Sequence, residues 1–316
     1  MKFIKWFLCI LLLCGCGSSS VEKEPVENTY IVFASPLIKH EIWLKAKAGM
    51  DQACSELGYY CDWLGPAVID TEEMNAVITT AIAQKADGII TQGVVSETLL
   101  ERASSKQIPV ILVDSDMPQS SRYAYFGKNF HEQAKIFLND IEKRLGKDTF
   151  LKIGIQVAEK DFDIAKDQIQ EIENVFQNHK GGYEIIDVTE SNSDKVVAKK
   201  EWDISFETHD FNVVINFAGE SAAACSEIAE EKGIRDSLLI YGVDDMSDNI
   251  NLLKQGKLDG IVVTSFYHYG YQSVYLIDQY RQNKKPLSES VQDITLLMVT
   301  KDNVDTYEEE LKNAQD

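Results

Sequence analysis

Short, unbroken apolar runs alternate with segments of helical periodicity along most of this chain, and few folds satisfy that alternation. Strands are predicted at Tyr30–Ser35, Tyr59–Leu64, Gly88–Gln92, Ile108–Asp114 and Tyr123–Gly127. They are apolar and unalternated, as strands covered on both faces of a parallel sheet are. Helices are predicted between them over Ile38–Leu57, Thr71–Lys85 and Ser96–Lys106. In the first helix Ile42, Ala46, Met50, Ala53 and Leu57 recur at helical spacing, and Gly58 supplies the stop.

The pattern then restarts. After a helix at Phe130–Leu145, strands are expected near Leu151–Val157, Tyr183–Val188, Asn212–Phe217 and Leu238–Val243. Helices near Ile164–Asn178, Ser193–Trp202 and Glu220–Lys232 separate them. A helix around Asn249–Gln255, a strand at Gly260–Thr264, a helix at Tyr269–Asn283 and a strand at Asp293–Val299 close the chain. Two α/β units with parallel sheets fit this order and the 316-residue length, at roughly 150 residues per domain.

The first residues form an address rather than a fold element. Lys2 and Lys5 precede an apolar run, Phe7 to Leu13, far shorter than the ~20 residues of a spanning helix. A cationic start, a short apolar core and small residues after it make an export signal. Leu13-Cys14-Gly15-Cys16 resembles the bacterial lipobox, which implies cleavage after residue 15 and a lipid on Cys16; a plain secretory signal is the alternative. Residues 16–28 are small, polar and charged, and make a tether.

Charge and motifs narrow the chemistry. Lys and Arg number 31 against 51 Asp and Glu, a net −20 that repels phosphates and argues against nucleic acid as a partner. Phosphate-loop and dinucleotide glycine motifs are missing, and Gly219-Glu220-Ser221-Ala222-Ala223 starts like a nucleophile elbow but lacks the closing glycine. His and Cys spacing gives no reason to expect zinc or another cofactor. Asp244, Asp245 and Asp248 lack the pattern of a calcium loop and are expected in a solvated loop. Cys54, Cys61 and Cys225 form no disulfide framework; Cys54 and Cys61 either pair, if the fold brings them close, or stay as buried thiols. An exported α/β chain without a catalytic motif points to binding rather than to an enzyme.

From Tyr30 to about Leu311 the chain resembles bacterial periplasmic sugar-binding proteins of the ribose-binding type, the extracellular receptors of ABC importers. The landmarks run in family order: SPLIKHEIWLKAKAGM, ADGII, IPVILVDSD, YFGKN, YGVDD, KLDGIVVTS and VTKDNVDTY. The resemblance implies two Rossmann-like lobes joined by three hinge strands, a mostly monomeric protein, and ligand bound between the lobes at the strand ends. Mapped here, the first lobe would hold 29–128 plus 245–289 and the second 129–244 plus 290–311.

Candidate ligand contacts follow. Trp43 and His40 stand at a helix start just after a strand, where a ring can stack on the C–H face of a sugar; helix-start packing for Trp43 and a surface role for His40 are the alternatives. Asp114 and Asp244 each end a strand, where a carboxylate accepts two hydroxyls; facing each other in an empty cleft, they are expected to repel weakly. Asp116 also stands near the cleft, and the resemblance places Phe266 at a hinge and Thr264 at a ligand-facing position commonly held by Gln.

Departures from the ribose pattern are Gln168 in place of an Arg, Ala218 in place of an Asn, Asn129 in place of an Asp, and no aromatic near Ser191–Asp194. The expected function is therefore lipoprotein delivery of a small sugar or sugar-like ligand to an ABC permease, without ribose itself being implied. The Asp-Ser-Asp at 114–116 also resembles autoinducer-2 receptors, for which Asp161 and Asp163 would supply second-lobe carboxylates, a solvated loop being the favoured alternative for both; a sensory module for a membrane kinase or chemoreceptor is a third reading.

Overall fold

The computed structural model describes residues 29–284 and 290–313. The signal, the tether and Cys16 lie outside the described residues.

Two six-stranded sheets carry the chain. The first half supplies β1 (Tyr30–Ala34), α1 (Glu41–Leu57), β2 (Tyr60–Leu64), α2 (Thr71–Ala83), β3 (Gly88–Gln92), α3 (Glu97–Ser105), β4 (Val110–Val113) and β5 (Ala124–Gly127). Next come α4 (Phe130–Leu145), β6 (Leu151–Val157), α5 (Asp163–Phe176), β7 (Tyr183–Glu190), α6 (Lys195–Thr208), β8 (Val213–Asn216), α7 (Ser221–Glu231) and β9 (Leu239–Val243). The chain closes with α8 (Ser247–Gln255), β10 (Gly260–Val263), α9 (Phe266–Asn283), β11 (Val291–Asp293), β12 (Leu297–Val299) and α10 (Tyr307–Asn313). Strand order is β11-β5-β4-β3-β1-β2 in one sheet and β12-β10-β9-β8-β6-β7 in the other. Neighbours run parallel except the antiparallel pair of β10 and β12. The fold is the expected one: two α/β lobes, each a mostly parallel sheet wrapped by helices.

The chain crosses between lobes three times: after β5, after β10, and between β11 and β12. The crossings lie side by side. The Ile294 N–H donates to the Gly127 carbonyl at 2.8 Å, and Thr264 Oγ1 donates to the Thr295 carbonyl at 3.0 Å.

The lobe boundaries differ from the sequence expectation. Residues 245–263 belong to the second lobe: β10 pairs with β9, and Leu253 of α8 is buried with Trp202, Val214 and Ile261. Residues 291–293 belong to the first, because β11 pairs with β5. The single strand expected at Asp293–Val299 is thus two strands in different sheets. Helix α6 starts at Lys195, because the Asp194 carboxylate accepts the N–H groups of Val196 and Val197 and so caps it, and it runs on to Thr208. Cys54 and Cys61 form a disulfide that ties the end of α1 to β2.

One helix contact positions the functional region. At Gly49 of α1 and Gly270 of α9 a Cβ would run into the carbonyl oxygens of Tyr267 and Ala46, so both helices approach backbone to backbone. That approach sets the start of α1, with Trp43, against the start of α9, with Phe266.

Candidate functional site

A cleft with an empty volume of about 860 Å³, mouth included, opens between the lobes at the C-terminal ends of the strands. Its floor is built on a structural counterpart pair. Strands β4 and β9 are each third in their sheet, and each ends in an aspartate whose backbone turns into the left-handed region, Asp114 at φ 66° and Asp244 at φ 64°. That conformation is uncommon outside glycine, and such residues gather at functional sites. Local bonds hold it. The Asp114 N–H donates to the Phe126 carbonyl at 3.2 Å and the Asp244 N–H to that of Val262 at 3.1 Å. Tyr125 Oη donates to the Asp114 carbonyl at 3.1 Å, and Asn249 Nδ2 to that of Asp244 at 3.2 Å.

The two carboxylates do not face each other unshielded, which corrects the expectation of mutual repulsion. Lys128, on the first crossing, reaches between them. Its Nζ lies 2.8 Å from Asp114 Oδ1, 3.8 Å from Asp244 Oδ1 and 5.1 Å from the centre of the Phe266 ring. Its side chain is 6% exposed. Burial works against its charge, but Asp114 and Asp244 outweigh that and hold its pKa above the ordinary value. Burial pushes Asp244 up to about 6, with Lys128 opposing and Asp114 adding to the rise. Asp114 Oδ2 also accepts a 2.8 Å bond from Gln92 Nε2.

Both walls carry aromatic and polar groups. Trp43 is 6% exposed and packs edge-to-face on Phe33 and Phe266, so it belongs to the core and lines the cleft at once. His40 precedes α1 without capping it; its Nδ1 is buried without a hydrogen bond, and burial lowers its pKa against the opposing pull of Glu220 and Glu41. From the second lobe come Phe162, Gln168, Phe217, Ala218 and Glu220.

Seven of the residues singled out from sequence therefore line one cleft: His40, Trp43, Asp114, Gln168, Ala218, Asp244 and Phe266. Three do not. Asp116 is engaged by Arg122, with Nη2 at 2.8 Å from Oδ2. Asn129 caps α4 through the Glu132 N–H and donates to Asp293 at 3.1 Å. Thr264 is taken up in the crossing bond to Thr295. Asp161 and Asp163 are exposed, and Asp163 pairs with Lys166; between them it is Phe162 that lines the cleft. Lys128, Phe162 and Glu220 are lining residues that sequence reasoning missed.

The lobes also touch beside the cleft. Lys45 Nζ of α1 lies 2.7 Å from Asp245 Oδ1, and the Ser247 N–H donates to Glu41 Oε1 at 3.0 Å.

Solved structures share this architecture. GanP, a glucose-galactose binding protein from Geobacillus stearothermophilus, superposes with a TM-score of 0.82 at 22% identity, over 88% of this chain and 99% of its own. A solute-binding protein of an ABC transporter from Burkholderia graminis, in complex with D-arabinose, gives 0.81 at 19% identity over 89% and 98%. One from Agrobacterium vitis with bound D-fucose gives 0.80 at 18% identity over 89% and 99%. Comparison with curated protein sequences finds no match. The family model described as periplasmic binding protein domain matches residues 31–285, nearly the whole described chain from β1 to the end of α9. The chain belongs to the periplasmic binding protein domain family.

Proposed function

We propose that this protein is an extracytoplasmic solute-binding lipoprotein, anchored through Cys16, that captures a small sugar or sugar-like ligand between its lobes and delivers it to an ABC permease. The observation that carries the reading is the paired strand-end carboxylates, Asp114 and Asp244, one from each lobe, in a cleft walled by Trp43, Phe162 and Phe266. Carboxylates accept hydroxyl protons, and aromatic rings cover the apolar face of a sugar. The solved relatives with bound D-arabinose and D-fucose support the ligand class. The Cys54–Cys61 disulfide supports an oxidising, extracytoplasmic compartment, as the export signal does. Binding of this kind needs no covalent chemistry from the protein. A ligand touching both lobes stabilises the closed arrangement by its differential contacts.

A thermal-shift screen of monosaccharides and polyols tests the reading. A ligand at 100 times its Kd adds about 2.7 kcal/mol to stability and raises the melting temperature measurably. A flat response across the whole panel would refute the sugar-class assignment. Cys16→Ser should release the protein from the membrane fraction; retention with an uncleaved signal would refute the lipid anchor.

A further inference from the structure

We propose that the ligand of this cleft bears a positively charged amine among its hydroxyls, as an amino sugar does, and that Glu220 and Asp244 receive that amine. The proposal rests on the sugar-binding reading above and names the ligand class more closely.

Charge in the cleft is unbalanced. Asp70, Asp114, Glu159, Glu220 and Asp244 line it, and Lys128 is the only Lys or Arg among the described lining residues. That cation is engaged 2.8 Å from Asp114, whose other oxygen takes the Gln92 amide. Asp114 thus already has a cation and an amide donor, with lone pairs left for a ligand hydroxyl.

Glu220 and Asp244 are left over. Glu220 is 8% exposed; Oε1 accepts from Ser191 Oγ at 2.7 Å, while Oε2 is buried with no hydrogen bond. Asp244 Oδ1 is also buried without one; Lys128 Nζ, 3.8 Å away, attracts it by charge but is too far for a hydrogen bond. Glu220 follows Gly219, and a Cβ built on Gly219 would sit 3.5 Å from Asp244 Oδ2, so the backbone that carries Glu220 runs beside Asp244. A buried carboxylate oxygen that accepts no hydrogen bond is unfavourable.

The chemistry of the unmet need is specific. The buried lining atoms without a hydrogen bond are carboxylate oxygens and His40 Nδ1, and burial favours neutral His40. The carboxylate oxygens call for donors. A hydroxyl gives one proton and no charge. An ammonium gives three and neutralises the surplus charge as well.

Isothermal titration calorimetry with D-glucosamine, D-galactosamine and D-mannosamine, each beside its neutral parent and its N-acetyl derivative, decides the matter. At least one amine should bind about tenfold or more tighter than both its counterparts. Glu220→Gln should bring that ratio close to one, with native circular dichroism. A neutral parent that matches its amine overturns the proposal and leaves the sugar-binding reading standing. No heat from any member of the series overturns the proposal, and the thermal-shift panel then decides the sugar-binding reading separately. A ratio that survives Glu220→Gln removes Glu220 from the amine site; if that variant does not fold, the wild-type ratio alone decides.

Discussion

Lys128 turns two buried carboxylates that would repel into a linked set, so its removal should be felt at both. Lys128→Met leaves Asp114 and Asp244 without their cation and should lower unfolding free energy by about 3–5 kcal/mol, the usual effect of breaking a buried pair. Urea denaturation checks this, and a change near zero would contradict the linkage. Asp244 gives the site a pH signature. Its folded-state pKa of about 6 lies above the ordinary ~3.9, so the folded chain holds this proton more tightly than the unfolded chain. The stability tied to it is full below about pH 4 and is lost as pH rises through about 6. Relative to Asp244→Asn, the wild type should therefore lose about 2–3 kcal/mol between pH 4 and 7. Urea titrations at both pH values measure it; a constant difference would place Asp244 in an ordinary environment. The strand-end aspartates were legible in the sequence, because each closes an apolar run. Lys128 was not, since a lysine in YFGKN looks solvated until the crossings of the chain fold over it. Glu220 was hidden as well, since its carboxylate is held through Oε1 by Ser191, 29 residues away.

Among the elements, α1 and α9 matter most for the site, because their contact sets Trp43 against Phe266. Gly270→Ala puts a methyl against the Ala46 carbonyl and should destabilise by about 1–3 kcal/mol or more through overpacking. Since the helix starts would part, it should also weaken sugar binding, as calorimetry on the folded variant would show. Unchanged stability would mean that the backbones yield without strain. The disulfide acts at the other end of α1. Cys61→Ala should cost about 2–3 kcal/mol for a loop this short, read by chemical denaturation with wild type under reducing conditions as the match. Most strands and helices were legible from periodicity and caps. The lobe assignment of α8 and β10 was not, because GIVV fits an interior strand of either sheet and only pairing with β9 decides. The split at Ile294 was equally hidden, since nothing local distinguishes a crossing from a continuous strand.

At the scale of the whole molecule, three crossings join the lobes, and Asp114 and Asp244 stand on opposite sides of the gap. The overall fold was legible because parallel βα repetition admits few alternatives. The ligand class was less so, because it depends on which side chains meet across the lobes. Small-angle X-ray scattering tests the central claim, that a small polyhydroxylated ligand holds the lobes together through both aspartates. With the monosaccharide that the thermal screen selects, the account predicts a smaller radius of gyration for wild type and none of that compaction for Asp114→Ala or Asp244→Ala at the same ligand concentration. Compaction that persists in both variants would contradict it and place the bridge between the lobes on other residues.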